Sequence, residues 1–433
     1  MKHTARLVSL TFLAVVSSSC GIDQTSAPLP QVLADRSSAP GLDQGCRDQP
    51  GEHRARRPNA PVELLCAFAL PAGSKPIQNG TKTWVDGGRL YLTEIANGSV
   101  FVWDAVTHDF LGSIGGFVGS TGSAATSGPN SIVLSGDGHA WVSDGISVVQ
   151  VVDLASMTIV ASVHTAIPAC DNGTVHNCQR TNEITYDPEH HIIFVQNPSP
   201  LAVAGGAIDT YGTFISADAP YDVLGVIKFP DRRGQEAPLW DPDQHRIVTT
   251  VAGRLSGATI FHQYVALIDP TVRPFVVEKE FDVDCTSLGL TGVGGVRLFG
   301  INDPALAPGG HMVLPACGRA LIMDAPTGVV TAIMPVGGGN ETWYNSGDGN
   351  FYVTGANLGP TPAGNSLGVI EASSSTMLQY ILAPGATNPA AAAENNHIFA
   401  VVPASANVNT CTAFGLQSSG CIAVFTHVPE GGH

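Results

Sequence analysis

The chain has 433 residues, of which 44% are hydrophobic and 13% charged, and its formal net charge is −16. That balance argues against a nucleic-acid partner, because neutralising phosphates needs a basic surface; the one basic cluster, Arg47 and Arg54-Ala-Arg-Arg57, lies in a Pro-containing tail. With 49 Gly, 30 Pro and no long charge run, the composition points to a turn-dense all-β protein.

Residues 1–20 read as an export signal. Lys2 and Arg6 precede an apolar run from Leu7 to Val16, and small residues follow to Cys20-Gly21. The run is too short to span a bilayer. The ending Ser17-Ser-Ser-Cys-Gly21 resembles the lipobox of bacterial lipoproteins, although Ser17 stands where that motif usually has Leu. The resemblance implies that Cys20 is lipidated and becomes the first residue of the mature protein. Residues 21–60, rich in Ser, Pro, Asp and Gln, read as a flexible tether.

A strand-like run, Val62-Glu-Leu-Leu-Cys-Ala-Phe-Ala-Leu70, then stands alone. Beyond it the chain repeats. Six stretches align without gaps from Asn130, Asn182, Ala237, Asn302, Asn340 and Asn388, and a looser seventh begins near Gly80. Each leads into a short β-type run such as Ala140-Trp-Val, Ile192-Ile-Phe-Val or Ile398-Phe-Ala-Val. Spacings of 38 to 65 residues between the six starts suit blades of short strands, and the amphipathic period of helical repeats is missing. The expected fold over residues 62–428 is therefore all-β: a seven-bladed β-propeller of four-stranded antiparallel blades.

Within a unit the third strand usually ends on an acid: Asp104, Asp153, Asp218, Asp269, Asp324 or Glu371. An acid there accepts N–H bonds from the following turn. The fourth strand follows, as in Phe110-Leu-Gly-Ser-Ile114 or Phe275-Val-Val. The last unit stops after Cys421-Ile-Ala-Val-Phe425 and lacks a fourth strand. The orphan run around Leu65 is expected beside Ala423, where it closes the ring and removes an exposed edge.

Nine cysteines less Cys20 leave eight, an even number suited to an oxidising compartment. The repeat map pairs them. Cys170 and Cys178 share one loop, Cys411 and Cys421 bracket the long connection of the last blade, and Cys285 and Cys317 fall on the same face of adjacent blades. Cys46 in the tether and Cys66 in the closing strand remain.

In such blades the connections from strand four to strand one, and from strand two to strand three, share one face. The long insertions, residues 165–181, 196–212, 283–301, 355–365 and 402–419, all lie there, and long loops on a rigid scaffold commonly carry binding. Asn130, Asn182, Asn302, Asn340 and Asn388 ring the channel mouth on that face, with Glu183, Asp303 and Glu341 each one residue later. Oxygen ligands of mixed charge suit calcium or another hard cation. Capping of the first backbone groups of the inner strands explains the repetition equally. Alternation predicts that if the Asn side chains point into the channel, their acidic neighbours point into the blade. His139, His191, His311 and His397 recur at the opposite face and read as repeat grammar. Gly364-Asn-Ser-Leu-Gly368 matches the serine-hydrolase pattern but precedes a strand, where that chemistry needs a strand-to-helix elbow.

Segments such as Gly88-Arg-Leu-Tyr-Leu-Thr-Glu-Ile-Ala-Asn-Gly-Ser-Val-Phe-Val-Trp-Asp104, and Gly138-His-Ala-Trp-Val-Ser143 followed by Val149-Gln-Val-Val-Asp153, resemble bacterial YVTN/NHL-type propeller repeats. The resemblance implies architecture far more than function. A distant similarity to gluconolactonase-type calcium-dependent hydrolases implies parts at the channel mouth for Glu183 or Glu341, Asn130, Asn302 and Asp303, although the motifs around these residues depart from that family. Two functions follow as expectations. The first is a secreted or envelope-anchored monomer that binds a small-molecule ligand or a protein partner through its loop-rich face. The alternative is a metal-dependent hydrolase or lactonase, with Glu183, Asp303 or Glu341 as metal ligand or general base.

Overall fold

A computed structural model describes residues 46, 60–168, 170–171, 178–198, 209–230, 232, 235–253, 262–290, 302–337, 339, 341–356, 365–405 and 409–428. Cys20 and Asn340 lie outside the described residues, as do residues 1–45 and 47–59, on which the expected export signal and nearly all of the expected tether fall.

Among the described residues twenty-eight strands form seven four-stranded antiparallel sheets, the blades of an all-β propeller. Six blades follow chain order. In the seventh, the first strand of the chain, Val62–Phe68, pairs outside Cys421–His427, which pairs in turn with His397–Val402 and Thr387–Ala392. Leu64 stands opposite Phe425 and Ala67 opposite Ala423. This is the closure that the missing fourth strand predicts. It is pinned at its end by His427: one ring nitrogen lies 2.6 Å from the Ala60 carbonyl oxygen and the other 2.9 Å from Asp348 Oδ2 of the sixth blade.

Burial explains which residues build which strand. Middle strands such as Ile192–Asn197 are buried at every position, because neighbouring blades cover both their faces. Outer strands alternate: in Thr158–His164 the exposed positions are Thr158, Val160, Ser162 and His164. The core lies between blades, where Trp141 of the second packs with Ile184 and Ile193 of the third.

Four of the six acids at the third-strand ends anchor the following turn through backbone N–H groups, whereas Asp218, two residues past its strand, meets the His191 ring. Asp104 accepts N–H bonds from Val106 and Thr107, Asp153 from Ser156, Asp269 from Thr271 and Asp324 from Thr327. Glu371 accepts the Ser374 hydroxyl instead. One strand starts later than its sequence suggests: the outer strand of the fourth blade spans Val277–Asp284. Phe275 is taken out of it because its ring stacks on Phe214 of the third blade, with centroids 3.5 Å apart.

Four disulfides join Cys46 to Cys66, Cys170 to Cys178, Cys285 to Cys317 and Cys411 to Cys421. They suggest an oxidising, exported environment. Among the described residues no helix is long and apolar enough to cross a membrane.

Candidate functional site

In six of the seven blades one position near the start of the inner strand faces the central axis, and the strand pairings identify it. Asp187 pairs with the first residue of its next strand, Ile192, and Glu183 lies four residues before it. Asp86 pairs likewise with Arg89, which makes Lys82 the equivalent in the first blade. Ser131, Glu236, Asp303 and Glu341 hold the corresponding places in the second, fourth, fifth and sixth blades.

These side chains converge. The Lys82 ammonium donates to Glu183, to Asp303 Oδ2 at 2.8 Å and to Glu341 Oε1 at 2.6 Å. One cation from the first blade thus holds carboxylates from the third, fifth and sixth. Glu236 supplies a fourth carboxylate, and its Oε2 accepts a bond from Asn182 Nδ2 at 3.0 Å. Lys82, Glu183, Asp303 and Glu341 are all buried.

Asparagine and acid take opposite directions, as alternation requires, and it is the acid that faces the channel. The acids point at the axis, while the described asparagines reach sideways and stitch neighbouring blades. Asn130 Nδ2 donates to Asn182 Oδ1 at 3.2 Å and to Glu183 at 3.0 Å. Asn302 Nδ2 donates to the Gly339 carbonyl, and Asn388 Nδ2 to the Thr81 carbonyl, each at 2.6 Å. Three of the four recurring histidines have side-chain partners: His139 beside Asp137, His191 beside Asp218, and His397 beside Asn395 and His108 of the first blade.

Lys82 and Glu236 escaped the sequence reading for definable reasons. The first-blade copy is loose, and a lysine occupies the place where other blades carry an acid. In the fourth blade the pairing advances three residues, Glu236 to Leu239, against two on the partner, Thr250 to Val248. This β-bulge at Ala237-Pro238 adds one residue. An alignment without gaps therefore places Ala237 where the fold places Glu236. Proline beside the inner strand was the available signal.

Burial sets the electrostatics. It pulls Lys82 down, but Asp303, Glu183 and Glu341 together outweigh that and hold its ammonium well above the ordinary lysine range. The carboxylates respond in the opposite sense. Burial, reinforced by neighbouring acids, pushes Glu236 up to about 8 and Asp303 up to about 6 despite the opposing pull of Lys82. Glu341 is raised well above its usual range for the same reason. Arg180, which approaches Asn182 Oδ1 at 3.3 Å and lies in the field of Glu183 and Glu236, is lowered by burial.

Beyond this charged floor lies a cavity of about 300 Å³. Its walls run along the inner strands from Lys82 and the acids to Trp84, Trp240, Leu306, Trp343 and Tyr344. Trp84 and Trp343 come from the two blades that flank the seventh and meet edge to face, with centroids 5.1 Å apart. The seventh blade's inner strand offers only Ala390, Ala391 and Ala392 in this stretch, which leaves room for the indoles. The charged end is buried and the aromatic end partly exposed, so the cavity opens away from the charged floor.

Calcium is the cation the sequence reading considered. Carboxylate oxygens of Glu183, Glu236 and Asp303 lie within 4.8 Å of one another, a grouping of the kind that holds hard cations. Lys82 Nζ sits against two of those three, however, and supplies positive charge at the place a metal would need. The residues do not fit a calcium ion unless that ammonium is expelled.

No protein-family model matches the sequence, and no curated protein does. Among solved structures the chain is similar to one from the crystal structure of a mitotic checkpoint complex, at 12% identity and a TM-score of 0.56. The match covers 93% of this chain and 99% of that one. At such identity the likeness shows the shared propeller fold alone.

Proposed function

We propose that this protein is an exported propeller that binds a small-molecule ligand in its central channel, without catalysis. The observation that supports this most is the cavity of about 300 Å³, with buried charge at its inner end and aromatic walls toward its opening. Ligand sites have this combination of apolar lining and a few convergent polar groups. The YVTN/NHL-type resemblance, the signal-like residues 1–20 and the four disulfides support a lipoprotein anchored through Cys20 in the cell envelope, with the propeller outside the cytoplasm. A protein partner on the loop-rich face is a compatible use of the other side; each long insertion there includes residues outside those described.

The hydrolase alternative draws on the same carboxylates. It needs a metal where Lys82 stands, and the binding reading does not.

A thermal-shift screen of small metabolites grouped by charge tests the proposal, since a ligand that binds only the folded state stabilises it. At least one class is expected to raise the melting temperature of the wild type and to lose that effect in Ala305→Phe, which fills the cavity from its wall. A screen in which no class does so, or in which the shift survives the filled cavity, would remove the channel as the site.

A further inference from the structure

Three features of the cavity bear on what it accepts. The first is charge. Glu183, Asp303 and Glu341 line the cavity beside Lys82, with Glu236 and Arg180 acting on them from nearby, so once the raised carboxyls ionise four carboxylates are set against two cations and the interior carries negative potential. An anionic ligand is disfavoured there, and a further positive charge is favoured.

The second feature is the wall material. Trp84 and Trp343 form an edge-to-face corner on the cavity's side, and indole faces attract organic cations better than other aromatic rings do. A bare metal ion gains from the carboxylates but requires the position that Lys82 holds. An organic ammonium does not, because it needs only the field of the carboxylates and the ring faces.

The third feature is an unused donor. The indole N–H of Trp84 is buried and has no hydrogen-bond partner. A buried donor without a partner calls for an explanation, and an oxygen on a bound ligand supplies one. Asn130 Oδ1, buried beside Glu183, is also without a partner.

We infer that the channel cavity binds a small organic cation that carries an oxygen acceptor a few atoms from its charge, with the ammonium near the carboxylates and the Trp343 ring and the oxygen on Trp84 Nε1. This rests on the reading of the cavity as a binding site. By volume the ligand has on the order of ten non-hydrogen atoms, taking roughly 30 Å³ for each as for a water molecule. The charged groups that line the cavity are Lys82, Glu183, Asp303 and Glu341, and Arg180 and Glu236 lie close enough to act on them.

Calorimetric titration of the full chain with three probes tests the inference: choline, its uncharged carbon isostere 3,3-dimethylbutan-1-ol, and tetramethylammonium. Choline is expected to bind at least about tenfold more tightly than the isostere, the scale of one cation–π contact with added carboxylate attraction. Choline is also expected to bind more tightly than tetramethylammonium, and Trp84→Phe, which keeps an aromatic face and removes the donor, is expected to abolish that preference while retaining tetramethylammonium. Affinity for choline is expected to rise between about pH 6 and about pH 8.5, as the raised carboxyls ionise. Equal binding of choline and the isostere would overturn the cation assignment. Binding of neither, with some other metabolite class still shifting the melting temperature in a cavity-dependent way, would overturn this inference and leave the channel-binding proposal standing. Binding of nothing in any class would overturn both.

Discussion

The Lys82 ammonium lies 2.8 Å from Asp303 Oδ2, and the two residues are 221 positions apart in sequence, in the first and fifth blades. A contact across the channel between distant blades ties the ring through its centre, in addition to the disulfides and the closing strand.

The first prediction concerns that tie. Lys82→Met leaves three carboxylates buried without their cation, and removal of one partner from a buried charge cluster costs about 3–5 kcal/mol. Chemical denaturation at neutral pH is expected to show a loss of this size. Adding Glu183→Gln, Asp303→Asn and Glu341→Gln to Lys82→Met is expected to recover much of it, because the uncompensated charges are then gone. A Lys82→Met protein as stable as the wild type would show that the ammonium is not the cluster's counterion.

The second prediction follows from the raised carboxyls. With Glu236 up to about 8 and Asp303 up to about 6, the folded chain holds protons that the unfolded chain releases near pH 4. The stability these groups contribute is present below the ordinary carboxyl range and declines as pH rises through the folded values. The melting temperature is therefore expected to fall between about pH 5 and about pH 9. Glu236→Gln, which keeps an acceptor for Asn182, is expected to flatten that slope and to be more stable than wild type at the alkaline end. Asp153 works in the opposite sense: Ser156 hydrogen bonds hold it below the usual carboxylate range, so it matters only in acid. A variant whose slope matches the wild type would assign the pH dependence elsewhere.

How much of this was legible in the sequence depends on what the repeat could carry. The seven blades, the closing strand beside Ala423 and the four cysteine pairs follow from spacing and from one missing strand. The acids Glu183, Asp303 and Glu341 were visible because they recur one residue after an asparagine. Their direction was not, since alternation alone does not say which of two adjacent side chains faces the axis. Lys82 broke the chemical pattern of its position, and Glu236 was displaced by a bulge that an ungapped alignment does not register. Trp84 and Trp343 became neighbours only through ring closure around the alanines of the seventh blade.

The third prediction tests closure. Cys46→Ser with Cys66→Ser releases the closing strand's covalent tie and is expected to cost about 2–4 kcal/mol, as for other structural disulfides. Proteolysis is expected to cut first near residue 60 in that variant. Unchanged stability and unchanged cleavage would mean that the strand is held by pairing with Cys421–His427 alone.

The fourth concerns address. In a bacterial host supplied with labelled fatty acid, the wild-type chain is expected to take up label and to fractionate with membranes, and Cys20→Ser is expected to do neither. Equal labelling of both would remove the anchor, while leaving the propeller and its cavity untouched.

The most direct measurement is a crystal structure of the protein soaked with choline. Density for the ligand is expected inside the channel, its ammonium near Glu341 and the Trp343 ring, its hydroxyl on Trp84 Nε1, and Lys82 still bound to Asp303. Density confined to the loop-rich face, or a metal ion among the carboxylates with Lys82 turned away, would contradict it.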